Sequence, residues 1–127
     1  MFQEYLLESL SLDLDQTKIT IAIRNIIQNA LKYGISDKGL LISLSVKNNY
    51  LCVSICDFGP GIGSADVEKI FTPFFRSKKT KHFSGVGLGL SIAKKIMESH
   101  KGNITFNNNV EGGAEFILSL PIKKNYD

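Results

Sequence analysis

Residues 15–33 read DQTKITIAIRNIIQNALKY. The apolar side chains Ile19, Ile23, Ile26, Ile27, Ala30 and Leu31 recur at helical spacing and fall on one side. Asp15 has the short acceptor side chain that caps a helix start, and Gly34 supplies a stop at the C′ position. The stretch therefore predicts a helix over about 16–33. Asn25, Asn29 and Lys32 add a second pattern, a polar line at i, i+4 and i+7. At roughly 100° per residue its centre lies well round the helix from the apolar centre, with Tyr33 between the two. Asparagine is a poor helix former with no cap to make at mid-helix, so the two amides call for a reason. Amide oxygens ligate Mg²⁺, and a lysine one turn on reaches phosphate. Taken alone, the line also suits a solvated helix face.

Before this helix, residues 1–14 form a short prologue in which Leu10, Leu12 and Leu14 alternate as in an edge strand. After it, Leu40–Val46 and Tyr50–Cys56 read as strands joined around Asn48-Asn49, which tolerate positive φ. A glycine-rich turn follows at 57–63, and Asp66–Phe71 reads as a short helix. Residues 72–86 hold Pro73, serines, threonines and a basic cluster, the composition of a long loop. A second helix is predicted from about Gly87 to His100 on the apolar residues Leu90, Ile92, Ala93, Ile96 and Met97, with Gly102 ending it. A final hairpin pairs Ile104–Asn107 with Ala114–Leu120 through Glu111-Gly112-Gly113, and Pro121 closes the domain. The order helix, hairpin, loop, helix, hairpin predicts an α+β two-layer domain with helices on one face of a largely antiparallel sheet.

At 127 residues the chain suits a single domain, and 43% hydrophobic against 21% charged residues allow a buried core. The 15 basic and 12 acidic residues leave a formal charge of +3. Arg76, Lys78, Lys79 and Lys81 lie within residues 76–82, which contain no acid; removing those four leaves 11 basic against 12 acidic residues. The body is thus near neutral and one segment is basic, so a nucleic-acid surface is not indicated. No apolar run approaches the ~20 residues of a membrane span. The start, Met1-Phe2-Gln3-Glu4, lacks the basic n-region of a signal peptide, and none is expected. Cys52 and Cys56 share one face of a strand without metal-like spacing, and read as reduced packing cysteines in a cytoplasmic protein.

Two glycine clusters complete the chemistry. In Asp57-Phe58-Gly59-Pro60-Gly61-Ile62-Gly63, at a strand end, Asp57 continues the apolar row of Val53 and Ile55. A buried acid needs a donor partner. A base amino group would serve, with the glycines admitting a planar ring; an Asp-capped turn is the plainer reading. Gly85-Val86-Gly87-Leu88-Gly89-Leu90 opens the second helix, where free N–H groups make an anion site. It is neither a Walker loop nor a dinucleotide fingerprint, and alone it is a weak signal. Together, the acid-plus-glycine turn, the Asn/Lys line and the glycine run provide base, metal and phosphate contacts in one chain.

These residues resemble the catalytic, ATP-binding domain of sensor histidine kinases, in the Bergerat-fold superfamily shared with gyrase, Hsp90 and MutL. The resemblance covers about residues 15–122. Ile21–Tyr33 is similar to the family's N box, Asp57–Gly63 to its first glycine box, Ile70–Arg76 (IFTPFFR) to its F box, and Gly85–Leu90 to its second glycine box. Gly112–Phe116 and Leu120-Pro121 also fit. The fold implied is an α/β sandwich whose mixed, mostly antiparallel sheet is covered on one face by helices, with residues 72–86 as the ATP lid.

The resemblance implies that Asn29 ligates Mg²⁺, with Asn25 beside it on the same site. It implies that Lys32 contacts phosphate and that Tyr33 lies near the ribose or base. Asp57 would bond the adenine amino group, with Gly59, Gly61 and Ile62 along that wall. Gly85, Gly87, Leu88, Gly89 and Leu90 would face the phosphates, mainly through backbone. Phe71, Phe74 and Phe75 would anchor the lid, core packing being the alternative for these aromatics, and Arg76 would be a candidate γ-phosphate contact. The ATP-hydrolysing relatives carry a glutamate one turn before the Mg²⁺ asparagine, where this chain has Asn25. An amide cannot accept a proton at neutral pH, so water activation is not expected.

The implied activity is transfer of the γ-phosphoryl of Mg·ATP to a histidine on a separate helical hairpin, which passes it to a response regulator. A hydrolysing ATPase of the same superfamily and a non-catalytic nucleotide-binding or docking module are the alternatives. Neither His82 nor His100 has the context of an acceptor histidine. The chain reads as an excised catalytic domain or one acting in trans, monomeric by itself, with no nucleic-acid or membrane contact. The basic stretch at 76–81 would act on a polyanionic nucleotide, or be a solvated loop.

Overall fold

In the computed structural model, residues 12–33, 39–59, 61, 69–72, 89–108 and 112–123 are described, with backbone alone at 32 and 33. Helix α1 spans Gln16–Tyr33 and starts on a side-chain cap. Asp15 Oδ1 accepts from the Lys18 amide at 3.1 Å, and the Asp15 carbonyl accepts the first helical bond from Ile19 N at 2.9 Å. The buried line runs through Ile19, Ala22, Ile26 and Ala30, with Ile23 and Ile27 half-buried beside it. Leu31, expected on the apolar stripe, is 62% exposed. Ala22 takes the buried position instead. It shifts the centre of the buried line and leaves Leu31 about 130° round the helix at roughly 100° per residue.

Strands β1 (Leu41–Lys47) and β2 (Tyr50–Cys56) form the first hairpin. Pairing of Lys47 with Tyr50 leaves a two-residue turn, and Asn48 and Asn49 have φ of 52° and 70°. Positive φ at both positions is the turn whose twist matches paired strands, and its closure sets β1 one residue later than the apolar pattern alone indicates. Strands β3 (Asn103–Asn108) and β4 (Ala114–Pro121) form the second hairpin. The sheet order is β1-β2-β4-β3, antiparallel throughout. Pairing β4 against β2 places Val53 opposite Leu118 and Ile55 opposite Phe116. One face is therefore a continuous apolar surface, and α1 and the second helix, α2 (Gly89–Ser99), cover it. Ile26, Ile55, Met97, Phe116 and Leu118 are fully buried there, each stabilising by about 1.5–3 kcal/mol. The cover stops short of β1, whose Ile42 and Leu44 stay half exposed although they pair with the buried Ile55 and Val53.

Helix α2 buries Ser91, Ala93 and Met97, whereas Ile92, expected among the core residues, is 41% exposed. The helix ends differently from expectation. Lys101, not Gly102, adopts the left-handed conformation, with φ 61°. Gly102 N donates to Met97 O at 2.8 Å and Lys101 N to Glu98 O at 3.0 Å, the paired bonds of a Schellman stop. Gly102 is a glycine for want of space, since a Cβ there would run into the Ser119 carbonyl on β4.

Neither Cys52 nor Cys56 is in a disulfide, and both are half-buried on the opposite sheet face, where Ser54 donates to Glu115 Oε2 at 2.6 Å. Among the described residues no helix is long and apolar enough to cross a membrane, and no group of His, Cys, Asp and Glu has the makings of a metal cluster. The expectations for residues 1–11, for the Gly34 stop, and for most of the 66–71 helix and the 72–86 loop lie outside the described residues.

Candidate functional site

The site grows from the end of β2. One residue beyond the strand, the Asp57 amide still donates to the Ala114 carbonyl at 2.9 Å, continuing the β2–β4 register. The alternation that buries Val53 and Ile55 therefore buries the Asp57 side chain too, leaving it 4% exposed. Its Oδ1 accepts from Gly59 N and from Ala114 N, both at 3.0 Å. Two backbone donors on one oxygen hold the carboxylate in a single orientation. Among the described residues no hydrogen bond reaches Oδ2. A buried carboxylate with one oxygen saturated and the other available is built to receive a donor.

Glycines make the wall around it. Gly113 has φ 95°, and a Cβ there would collide with the Asp57 carbonyl while lying 2.8 Å from its carbon and 3.0 Å from Phe58 Cα. Gly61 has φ 75°, and its Cβ would sit 2.6 Å from Asn108 Oδ1 and 3.3 Å from the Gly113 carbonyl. The turn after Asp57 and the turn before β4 are thus pressed together backbone to backbone. Gly113 was not among the sequence-derived site residues. Its signal was there: a glycine pair immediately before the strand that pairs with the acid-bearing strand.

The second group forms where α1 meets α2. Asn25 and Asn29 are half-buried, where α1 packs against α2. Asn25 Nδ2 donates to the Gly89 carbonyl at 3.2 Å, joining residues 64 apart. A Cβ on Gly89 would lie 3.7 Å from Asn25 Cβ, so the first residue of α2 rests against this side chain. Asn29, one turn on, has no hydrogen-bond partner for its amide among the described residues. No hydrogen bond between described residues links this pair to the Asp57 turn.

Phe71 meets Phe116 edge to face at 6.4 Å, and Lys94 Nζ lies 5.2 Å from its ring centroid. Its contacts are those of a core aromatic. Leu90 is half-buried against the same core. The side chains of Lys32 and Tyr33, and Ile62, Phe74, Phe75, Arg76, Gly85, Gly87 and Leu88, lie outside the described residues. A groove of about 390 Å³ lined by Thr20, Ile23, Arg24 and Ile27 lies on the side of α1 away from Asn25 and Asn29 and holds none of the site residues.

The model of the family described as histidine kinase-, DNA gyrase B-, and HSP90-like ATPase matches residues 14–124. The sensor histidine kinase WalK of Bacillus subtilis is 40% identical over 120 residues, covering 91% of this chain and 20% of that protein. The chain thus spans about a fifth of that relative. Among solved structures, the catalytic domain of histidine kinase ThkA superposes with a TM-score of 0.74 at 34% identity, over 90% of this chain and 74% of that one. Full-length ShkA, in complex with AMPPNP, shares the fold, with a TM-score of 0.74 at 24% identity over 89% of this chain and 23% of that one.

Proposed function

We propose that this chain, which belongs to the histidine kinase-, DNA gyrase B-, and HSP90-like ATPase family, binds Mg·ATP and transfers its γ-phosphoryl group to a histidine on a separate helical hairpin. The observation that carries the reading is Asp57, a buried carboxylate fixed through one oxygen by Gly59 and Ala114. Its second oxygen accepts the amino group of adenine, and the glycine wall of Gly59, Gly61 and Gly113 admits the ring. Asn29 fits a hard cation: it offers a neutral amide oxygen, half-buried and without a partner among the described residues. Bound Mg²⁺ supplies charge neutralisation on the phosphates.

The residues also bear on what kind of transfer follows. Hydrolysis needs a base to take a proton from water, and the position one turn before Asn29 holds an amide that already donates to Gly89 O. With a histidine acceptor the imidazole nitrogen attacks the γ-phosphorus, the bond to the bridging oxygen breaks, and ADP leaves. The protein then supplies position and charge compensation, to which Lys32, Tyr33, Arg76 and the glycines at 85, 87 and 89 contribute. His100 is not the acceptor, because both its ring nitrogens are engaged, Nδ1 with Ile96 O and Nε2 with Asp15 N. In two-component signalling the hairpin passes the phosphoryl group to a response regulator.

Calorimetric titration of AMP-PNP with and without Mg²⁺, beside a steady-state phosphate-release assay, tests the reading. Expected are Mg²⁺-strengthened binding, loss of that strengthening in Asn29→Ala, and negligible phosphate release. Rapid release by the chain alone assigns it instead to the hydrolysing branch of the family.

A further inference from the structure

The bond between Asn25 and Gly89 assigns the first asparagine of α1 a task distinct from metal binding. Gly89 is the first residue of α2, so its carbonyl lies in the opening turn of that helix, and a carbonyl oxygen has a second lone pair to offer. Asn25 Nδ2 occupies it at 3.2 Å, in a part-buried setting where water competes poorly. The two residues also sit side by side, since a Cβ on Gly89 would meet Asn25 Cβ and Cγ at 3.7 and 3.8 Å, ordinary van der Waals distances. An asparagine in mid-helix, unfavourable for α1 by itself, is thereby explained by α2.

We infer that Asn25 is a positioning residue, whose amide sets the first peptide plane of α2 relative to Asn29 on α1. The opening turn of α2 and the metal-facing oxygen of Asn29 are then held as one unit against the phosphates. This inference rests on the nucleotide reading above. It separates Asn25 from Asn29: the latter acts on the cation, the former acts through Gly89 whether or not a cation is present.

Two variants distinguish the roles. Asn25→Asp keeps size and shape and offers a better Mg²⁺ ligand, but has no donor for the Gly89 carbonyl; Asn25→Ala removes the donor without adding charge. AMP-PNP and adenosine affinities are measured in Mg²⁺ and in EDTA, with amide hydrogen exchange of the nucleotide-free proteins. Both variants are expected to bind AMP-PNP about tenfold more weakly in either buffer, the loss of a part-buried hydrogen bond. Adenosine affinity stays unchanged, and exchange accelerates at the opening turn of α2. A loss confined to Mg²⁺ buffer, or wild-type affinity in Asn25→Asp, makes Asn25 a metal ligand and overturns the inference. Equal loss of adenosine binding overturns it in favour of general damage. A wild-type chain that binds neither ligand overturns the reading of the site, and this inference with it.

Discussion

Asp15 and His100, 85 residues apart, are joined by a hydrogen bond of 2.9 Å from the Asp15 backbone N–H to His100 Nε2. The same ring bonds Ile96 O through Nδ1 at 2.8 Å, which makes Nδ1 the protonated nitrogen and Nε2 the acceptor. The cap residue of α1 is thus fastened to the end of α2, and the two helices covering the sheet share one clasp. His100→Ala is expected to destabilise the fold by about 1–2 kcal/mol, read as a lower midpoint in urea unfolding with unchanged slope. AMP-PNP affinity in the variant should match wild type.

Among the described glycines, Gly113 leaves the least room for a side chain. Its φ of 95° and the collision of any Cβ with the Asp57 carbonyl mean that Gly113→Ala must push the two turns apart. The expected loss of stability is about 1–3 kcal/mol, by thermal or urea unfolding. Because the moved backbone carries Asp57, adenosine affinity should fall with it. A variant of wild-type stability and affinity would contradict the close packing of these turns.

Asp57→Asn separates the structural oxygen from the functional one. The amide oxygen can still accept from Gly59 and Ala114, so the fold is expected to persist. The amide nitrogen then stands where the free carboxylate oxygen was, and two donors face each other if adenine binds. Affinity for ATP and for adenosine should drop roughly ten- to hundredfold, in line with about 1.5–3 kcal/mol for a hydrogen bond to a charged group. Isothermal titration of the folded variant measures it.

The stop of α2 yields a paired prediction. Lys101 occupies the left-handed position with φ 61°, where a side chain is strained, so Lys101→Gly should stabilise by about 0.5–1 kcal/mol. Gly102→Ala should do the reverse, by about 1–3 kcal/mol, since its Cβ meets the Ser119 carbonyl. Urea midpoints that rank the two the other way would exchange the roles of these neighbours.

Much of the architecture was legible because it rests on local signals. Asp15 as a cap, Asn48-Asn49 as a two-residue turn and the alternation through Val53, Ile55 and Asp57 all depend on a few adjacent residues, and each appears in the structure. What was not legible depends on distant partners. Leu31 and Ile92 have the right periodicity but no opposing surface, so they stay exposed. Gly102 looked like a helix stop by composition, yet it is small because β4 passes beside it. The solvated reading fails for Asn25 for the same reason: only the packing of α2 on α1 turns it from a surface amide into a contact.

The central claim is phosphoryl transfer to a histidine outside this chain. Incubating the chain with γ-labelled Mg·ATP and a purified helical hairpin that carries an acceptor histidine, then following label on each polypeptide, tests it. Acid-labile, alkali-stable label is expected on the hairpin alone, lost when the hairpin's histidine is replaced and when Asp57→Asn is used. Label on this chain, or none on the hairpin while the chain binds ATP, would contradict it.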